Sequence, residues 1–382
     1  MKWECLTLAF VTTMLGCRKP YNPPAVSGIN GYLVVEGVIN PGSDSTIITL
    51  SRTVNISSNI TINPVSGAVL TVISDQNTSY PLTDAGGGNY ISAGLNLDVA
   101  HQYRLNIQTS DGKKYQSDFE AVTITPPIDS IGFNITTTPV NGVQVYVNTH
   151  DPTNNIKYYR WDYSENWEFH SLYTSNFISN GTKLVERTPS QYVSDCYSGD
   201  ISSDIVLGSS AKLSQATVYQ NPLVFIPSTS EKVETRYSVS VHQYALTSDA
   251  YSFWINLKKN TEQLGSIFDA QPSETPGNLH CITNPSEPVA GYVSICTVAS
   301  KIQFIYGYQL PAWVPAYPYV CSLDTPTMVG SYNWKNLVDY PDLYLPIDGV
   351  GPVSNPTAFS WTTRPCADCS IRGSLTPPSF WK

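Results

Sequence analysis

A period of two in the apolar residues is the feature that most restricts this chain. Tyr103-Arg-Leu-Asn-Ile107 alternates apolar and polar residues, and Asp111-Gly112 follows as a hairpin signal leading into Lys114–Phe119. Side chains of a strand point to opposite faces in turn, so such a segment has one dry face and one wet face. The same reading covers Gly31–Ile39, broken by Asn40-Pro-Gly-Ser-Asp44, then Thr46–Leu50 and Ala68–Ile73. Asp75-Gln-Asn-Thr78 is a turn and Gly86-Gly-Gly88 a tight loop. Short strands at this spacing predict a small immunoglobulin or transthyretin-like β-sandwich over residues 29–125.

Thr123-Ile-Thr-Pro-Pro-Ile-Asp129 is the expected boundary, because two prolines stop a strand and stiffen a junction. Strand-like segments resume at 130–135, 142–147, 158–163, 224–226, 235–244, 291–298 and 301–306. One helix interrupts them. Thr247-Ser-Asp249 is an N-cap cluster, residues 250–264 are helix-compatible, and Gly265 supplies the stop. Tyr251, Trp254, Ile255 and Leu264 are expected on its packing face, with Lys258, Lys259 and Glu262 toward water. Beyond Leu310 the Pro- and aromatic-rich chain reads as irregular. The expected class is mainly β: the N-terminal sandwich, then a larger β domain over 126–382 with a helix near 249–264 and a Cys-containing C-terminal segment.

Composition narrows the setting. Only 13% of the 382 residues are charged, whereas Gly (24), Pro (28) and Tyr (25) abound, which suits an extracytoplasmic β protein. A net charge of −9 excludes a phosphate-neutralising nucleic-acid surface and loose electrostatic docking on anionic lipid. The N-terminus is more specific. Lys2 precedes an apolar stretch, Leu6–Gly16, that is too short to span a bilayer and ends in Met14-Leu15-Gly16-Cys17. This is a lipobox: residues 1–17 are expected to be a lipoprotein signal with Cys17 lipidated, followed by a Pro-rich tether over 18–28. The expected location is the outer membrane, lipid-anchored. Arg18 and Lys19 do not form the acidic run that marks surface export in some envelopes, so periplasmic and surface faces both stay open.

Cys196, Cys281, Cys296, Cys321, Cys366 and Cys369 remain after Cys5 and Cys17. An even number in an exported chain predicts disulfides, with pairings the sequence does not choose. Cys366-Ala-Asp-Cys369 also admits a redox reading or half a zinc site, but neither a βαβ pattern nor a second ligand pair accompanies it. Cys366 and Cys369 can pair directly, whereas separate partners would staple the C-terminal loop to the body. No metal and no cofactor is predicted.

Candidate ligand contacts are aromatic. Trp161, Tyr163 and Trp167 could stack on a sugar or peptide if exposed, and pack in a core if not. Trp313 and Tyr317 form a second cluster that Pro spacing keeps extended. Glu165 and Glu168 offer the two carboxylates of a glycosidase, but GxSxG is absent and His101, His150, His170, His242 and His280 are scattered. Asp151-Pro-Thr-Asn-Asn155 and Asp339-Tyr-Pro-Asp342 offer oxygens without an EF-hand pattern. Asp44-Ser45-Thr46 and Asp129-Ser130-Ile131 have the form of a short O-glycosylation sequon, on Ser45 and Ser130, in expected turns or linkers.

The stretch 237–304, with its helix, Gln271-Pro272, Gly277-Asn278, Asn284-Pro285 and Gly291-Tyr292, resembles an uncharacterised Bacteroidota outer-membrane lipoprotein family, the domain of unknown function DUF4249. The tail Arg364–Trp381 looks like that family's Cys-containing end. The resemblance implies a receptor-associated envelope role, beside a TonB-dependent receptor in nutrient uptake, and supplies no catalytic residues. Three functions therefore compete: an accessory lipoprotein of such a receptor, an independent glycan- or peptide-binding lipoprotein, and, last, an envelope hydrolase.

Overall fold

A computed structural model describes residues 31–54, 62–262, 276–325, 335–352 and 356–381. The expected signal segment, Cys17, the tether, Gly265 and Gln271-Pro272 lie outside these residues. Among the described residues no helix is long and apolar enough to cross a membrane.

The first unit opens with β1 (Leu33–Ile39), β2 (Thr46–Arg52), β3 (Val69–Ser74), β4 (Ser79–Gly86), β5 (Asn89–Ser92), β6 (Gln102–Gln108), β7 (Lys114–Ser117) and β8 (Glu120–Ala121). Alternation works as the sequence predicts. Tyr103, Leu105 and Ile107 of β6 are buried with Leu33, Leu50, Leu70 and Tyr90, while Arg104 turns outward over the Phe119 ring at 4.6 Å. The buried Tyr90 hydroxyl donates to the Val65 carbonyl (2.8 Å) and accepts from the Ala68 N–H (3.0 Å), so its polar end carries no desolvation penalty.

The second unit contains β9 (Ile128–Thr136), β10 (Gly142–His150), β11 (Tyr158–His170), β12 (Phe177–Ser179), β13 (Leu184–Glu186), β14 (Asp195–Ile201), β15 (Val206–Ser209), β16 (Thr217–Pro227) and β17 (Arg236–Leu246). Helix α1 (Ser248–Glu262) follows, then β18 (Leu279–Cys281), β19 (Ser294–Ile295) and β20 (Val298–Tyr306). A three-stranded sheet, β16-β10-β9, faces a five-stranded one, β14-β11-β17-β20 with β15 also on β11. Val143, Val145 and Val147 from one sheet and Tyr159, Trp161, Phe169, Tyr237 and Val239 from the other share one core. The molecule is thus mainly β and built on sandwich-like arrangements with one prominent helix.

Residues 279–295, expected in the larger domain, return to the first unit instead: β18 pairs with β7 and β19 with β1, closing both ends of its sheet. Leu279, Val293 and Ile295 are part of its core. The chain returns because β1 and β7 would otherwise expose unpaired edges. Helix α1 packs Tyr251 and Trp254 inward as expected, but its buried residues are Ala250 and Phe253, Leu257 rather than Ile255 joins them, Leu264 lies outside the described residues, and Lys258 is not free in water but donates to the Ile205 carbonyl (2.5 Å).

A cap covers one end of the second unit. It comprises the β12/β13 hairpin, α2 (Lys335–Asp339), the hairpin of β21 (Tyr344–Val350) with β22 (Ala358–Thr363), and α3 (Arg364–Ala367). Disulfides Cys196–Cys369 and Cys321–Cys366 tie it down, so the CxxC cysteines take separate partners. Cys281 and Cys296, expected in bridges, are free and buried instead. Cys281 sits in β18 inside the first core, and burial pushes the Cys296 thiol up to about 12, where it is a neutral apolar group.

Candidate functional site

The site grows out of the alternation of β11. Tyr159, Trp161 and Tyr163 point into the core, so Tyr158, Arg160 and Asp162 point out of the sheet, across from Leu246, Tyr244 and His242 of β17. The Thr247 hydroxyl accepts from the Ala250 N–H (3.2 Å) and starts α1 as the chain leaves β17. The helix therefore lies over this outer face, with Phe253, Trp254 and Leu257 toward it. On the far side stands β1 of the first unit with the segment Ala290–Tyr292, joined by Val35 N–H to Ala290 O (2.9 Å). Gly291 has φ +129°, and a Cβ there would strike the Val35 carbonyl, so only glycine lets the two backbones meet. The space left between helix, β1 and β11 is a cleft of about 520 Å³.

Its electrostatics centre on Arg160. The guanidinium carbon lies 4.4 Å from the centroids of both the Tyr244 and the Trp254 rings. Asp162 is 3.6 Å away. Burial of Asp162 favours its neutral form, but the His242 ring (Nδ1–Oδ1 3.1 Å), Arg160 and the Tyr244 hydroxyl together hold its carboxyl below the usual range. The bond to Asp162 in turn raises the His242 pKa against the cost of burial. At the cleft's back, Tyr292 donates to Glu120 (2.6 Å), which also accepts from Asn278 Nδ2 (3.1 Å). Burial outweighs those bonds and raises the Glu120 carboxyl. Val34, Val35, Phe253 and Leu257 supply apolar wall, and Glu36 and Asn260 add polar groups to the lining. Such a cleft can bind; among the described residues no nucleophile with an adjacent base lines it.

The sequence profile of the family described as "Domain of unknown function (DUF4249)" matches residues 18–302. The chain belongs to the DUF4249 family. The matched span contains α1, β11 and the Ala290–Tyr292 segment, hence the whole cleft, and it stops short of the Arg364–Trp381 tail. No curated protein matches this DUF4249 chain. Among solved structures, Escherichia coli alpha-2-macroglobulin activated by porcine elastase is similar at 12% identity over 57% of this chain and 18% of its own, with a TM-score of 0.18. Chitinase ChiA74 from Bacillus thuringiensis is similar at 14% identity over 52% of this chain and 28% of its own, with a TM-score of 0.16. The chain spans less than a third of either, and overlaps this slight carry neither fold nor function across.

The sequence-predicted aromatics of this DUF4249 protein do not line the cleft. Trp161 is fully buried, its indole N–H donating to Gln243 Oε1 (2.8 Å), whose amide in turn donates to Pro126 O and Thr149 Oγ1. Tyr163 is buried, its hydroxyl pushed up to about 12 by burial, and Trp167 is buried beneath Lys232. Their alternation is core alternation, so the stacking role is withdrawn for all three. Trp313 packs on the same core and Tyr317 donates to Glu234 (3.3 Å), covering the domain's end. Glu165 and Glu168 fall on opposite faces of β11, three residues apart in a two-residue period; Glu165 is buried against Tyr237 (2.8 Å) and Lys232 (2.7 Å).

The histidines disperse onto separate acids: His101 on Asp75, His150 on Asp129, His170 on Asp195, His242 on Asp162 and His280 on Asp118. Asp151 spends its oxygens on the backbone of Thr153, Asn155 and Ile156, and Asp342 pairs with Arg364. Among the described residues no three His, Cys, Asp or Glu converge as metal ligands. Ser45 is exposed in the loop before β2; Ser130 is exposed too, but within β9 rather than a linker, accepting from Asn148 Nδ2 (2.9 Å). Arg160, the centre of the site, was missed. Its signal was present: a charged residue placed between aromatics in a strand, where the alternation forces it onto the other face.

Proposed function

We propose that this protein is an outer-membrane lipoprotein, anchored through Cys17, whose body binds as an accessory subunit of a TonB-dependent receptor in nutrient uptake. The observation that carries the binding reading is the cleft under α1: a recess of ligand size, walled by aromatic and aliphatic side chains around one guanidinium. The disulfides Cys196–Cys369 and Cys321–Cys366 support export, because such bonds persist in oxidising compartments. The lipobox supports the anchor, and the receptor follows from the family resemblance.

The test is affinity purification of the C-terminally tagged protein from gently solubilised native outer membranes, with Cys17→Ala as control. The proposal expects a TonB-dependent receptor in near-stoichiometric amount with the wild type and not with the control. Recovery of the lipoprotein alone would favour the second reading, an independent ligand-binding lipoprotein, which the same cleft supports. An envelope hydrolase stays the least supported reading, since it needs acid, base and imidazole groups in one place.

A further inference from the structure

We propose that the cleft under α1 is a site for a small apolar monocarboxylate, with Arg160 taking the carboxylate; this rests on the reading of the protein as one that binds. Arg160 has five N–H donors in a planar fork. Its side chain is only 17% exposed, yet among the described residues its one polar partner is Asp162, 3.6 Å away and beyond hydrogen-bond distance. Asp162 is already served by His242 and by the Tyr244 hydroxyl. The Tyr244 and Trp254 rings, each 4.4 Å from its carbon, restrict the guanidinium, and no hydrogen bond from its N–H groups is made among the described residues. A guanidinium so held is preorganised for a bidentate carboxylate, whose two oxygens match its fork.

The other walls set the rest of the ligand. Val34, Val35, Phe253, Leu257 and the Tyr292 ring offer apolar surface, and about 520 Å³ accommodates one fused aromatic or a medium aliphatic chain. The charge count selects one negative group rather than two. Arg160 is the only cation among the described lining residues, and Glu36 lines the same cleft. With Asp162 already 3.6 Å from Arg160 and Glu36 in the lining, a dianion such as a phosphate ester would bring a second negative charge into an acidic surround, whereas a monocarboxylate brings only the one that the guanidinium fork can take.

The test uses 1-naphthoate and its neutral analogue 1-naphthalenemethanol as probes, titrated calorimetrically into the soluble protein that starts after Cys17. The site predicts that naphthoate binds at least about tenfold tighter than the alcohol, the difference expected of a charge-assisted pair. Arg160→Met keeps length and apolar contact with the rings and should bring naphthoate down to the alcohol's affinity. Leu257→Trp, which keeps Arg160 and fills the cleft, should remove both ligands while thermal unfolding stays cooperative. Equal binding of the two probes by the wild type, no binding of either, or wild-type naphthoate binding by Leu257→Trp would each overturn the proposal. Absence of naphthoate binding alongside recovery of the receptor from membranes would overturn this site and leave the accessory role standing; the reverse pattern would do the opposite.

Discussion

At the scale of residues, the decisive contrast is between Arg160 and Trp161, neighbours on one strand with opposite fates. The sequence made the aromatics conspicuous, and conspicuous aromatics suggest stacking; the period of two, also legible, could not say which face met the partner sheet. Burial settles it, and the prediction changes accordingly. Trp161→Ala removes a fully buried indole and leaves Gln243 without its donor, so it should cost about 3–5 kcal/mol of stability. Chemical denaturation measures this, and a loss below about 1 kcal/mol would contradict the packing described. Gly291→Ala should also destabilise, because its Cβ meets the Val35 carbonyl where the returning segment packs on β1. His242 carries a pH signature. Its hydrogen bond to Asp162 raises its folded pKa above the ordinary imidazole value, so its contribution is complete below about pH 6.5 and is lost as pH rises through the shifted value. Thermal melts across that range should show stability falling with rising pH, and His242→Gln should flatten the fall; an unchanged slope in the variant would count against the pairing.

Elements were legible to different degrees. β6 and the turn into β7 were read correctly because each residue's neighbour in sequence lies on the other face and local turn chemistry fixes the hairpin. The existence of α1 is legible from its N-cap and its packing face in part, through Tyr251 and Trp254, but its two buried residues are not. Phe253 and Ala250 face inward because the helix must cover both β11 and β1, and that geometry is set by strands far away in sequence. Disulfide pairing was illegible for the same reason: Cys196 and Cys369 are 173 residues apart. The structure makes the thiol count testable. Protein lacking residues 1–17 should show no reactive thiol when folded, two when unfolded without reductant, from Cys281 and Cys296, and six after reduction. Removing the long-loop bridge by Cys196→Ser with Cys369→Ser should lower stability by about 2–5 kcal/mol, read from denaturant midpoints.

At the scale of the molecule, the reading of sandwich followed by larger β domain captured the layers and missed the weave. Residues 279–295 return to complete the first unit, so the two units are linked by three passages of chain rather than one. That return is what creates the cleft, since Ala290–Tyr292 forms the wall opposite α1. A contiguous-domain reading could place neither. It follows that the units should unfold together: Gly291→Ala is expected to lower one shared transition in calorimetry, and separation into two transitions would contradict the interlock. The central claim is that an anchored body presents this architecture to a membrane receptor. Chemical cross-linking in intact cells of the native host, followed by identification of the linked peptides, tests it without detergent. The account predicts links between this protein and a TonB-dependent receptor that disappear in Cys17→Ala; a wild-type protein held in the outer membrane yet linked to no such receptor would contradict it.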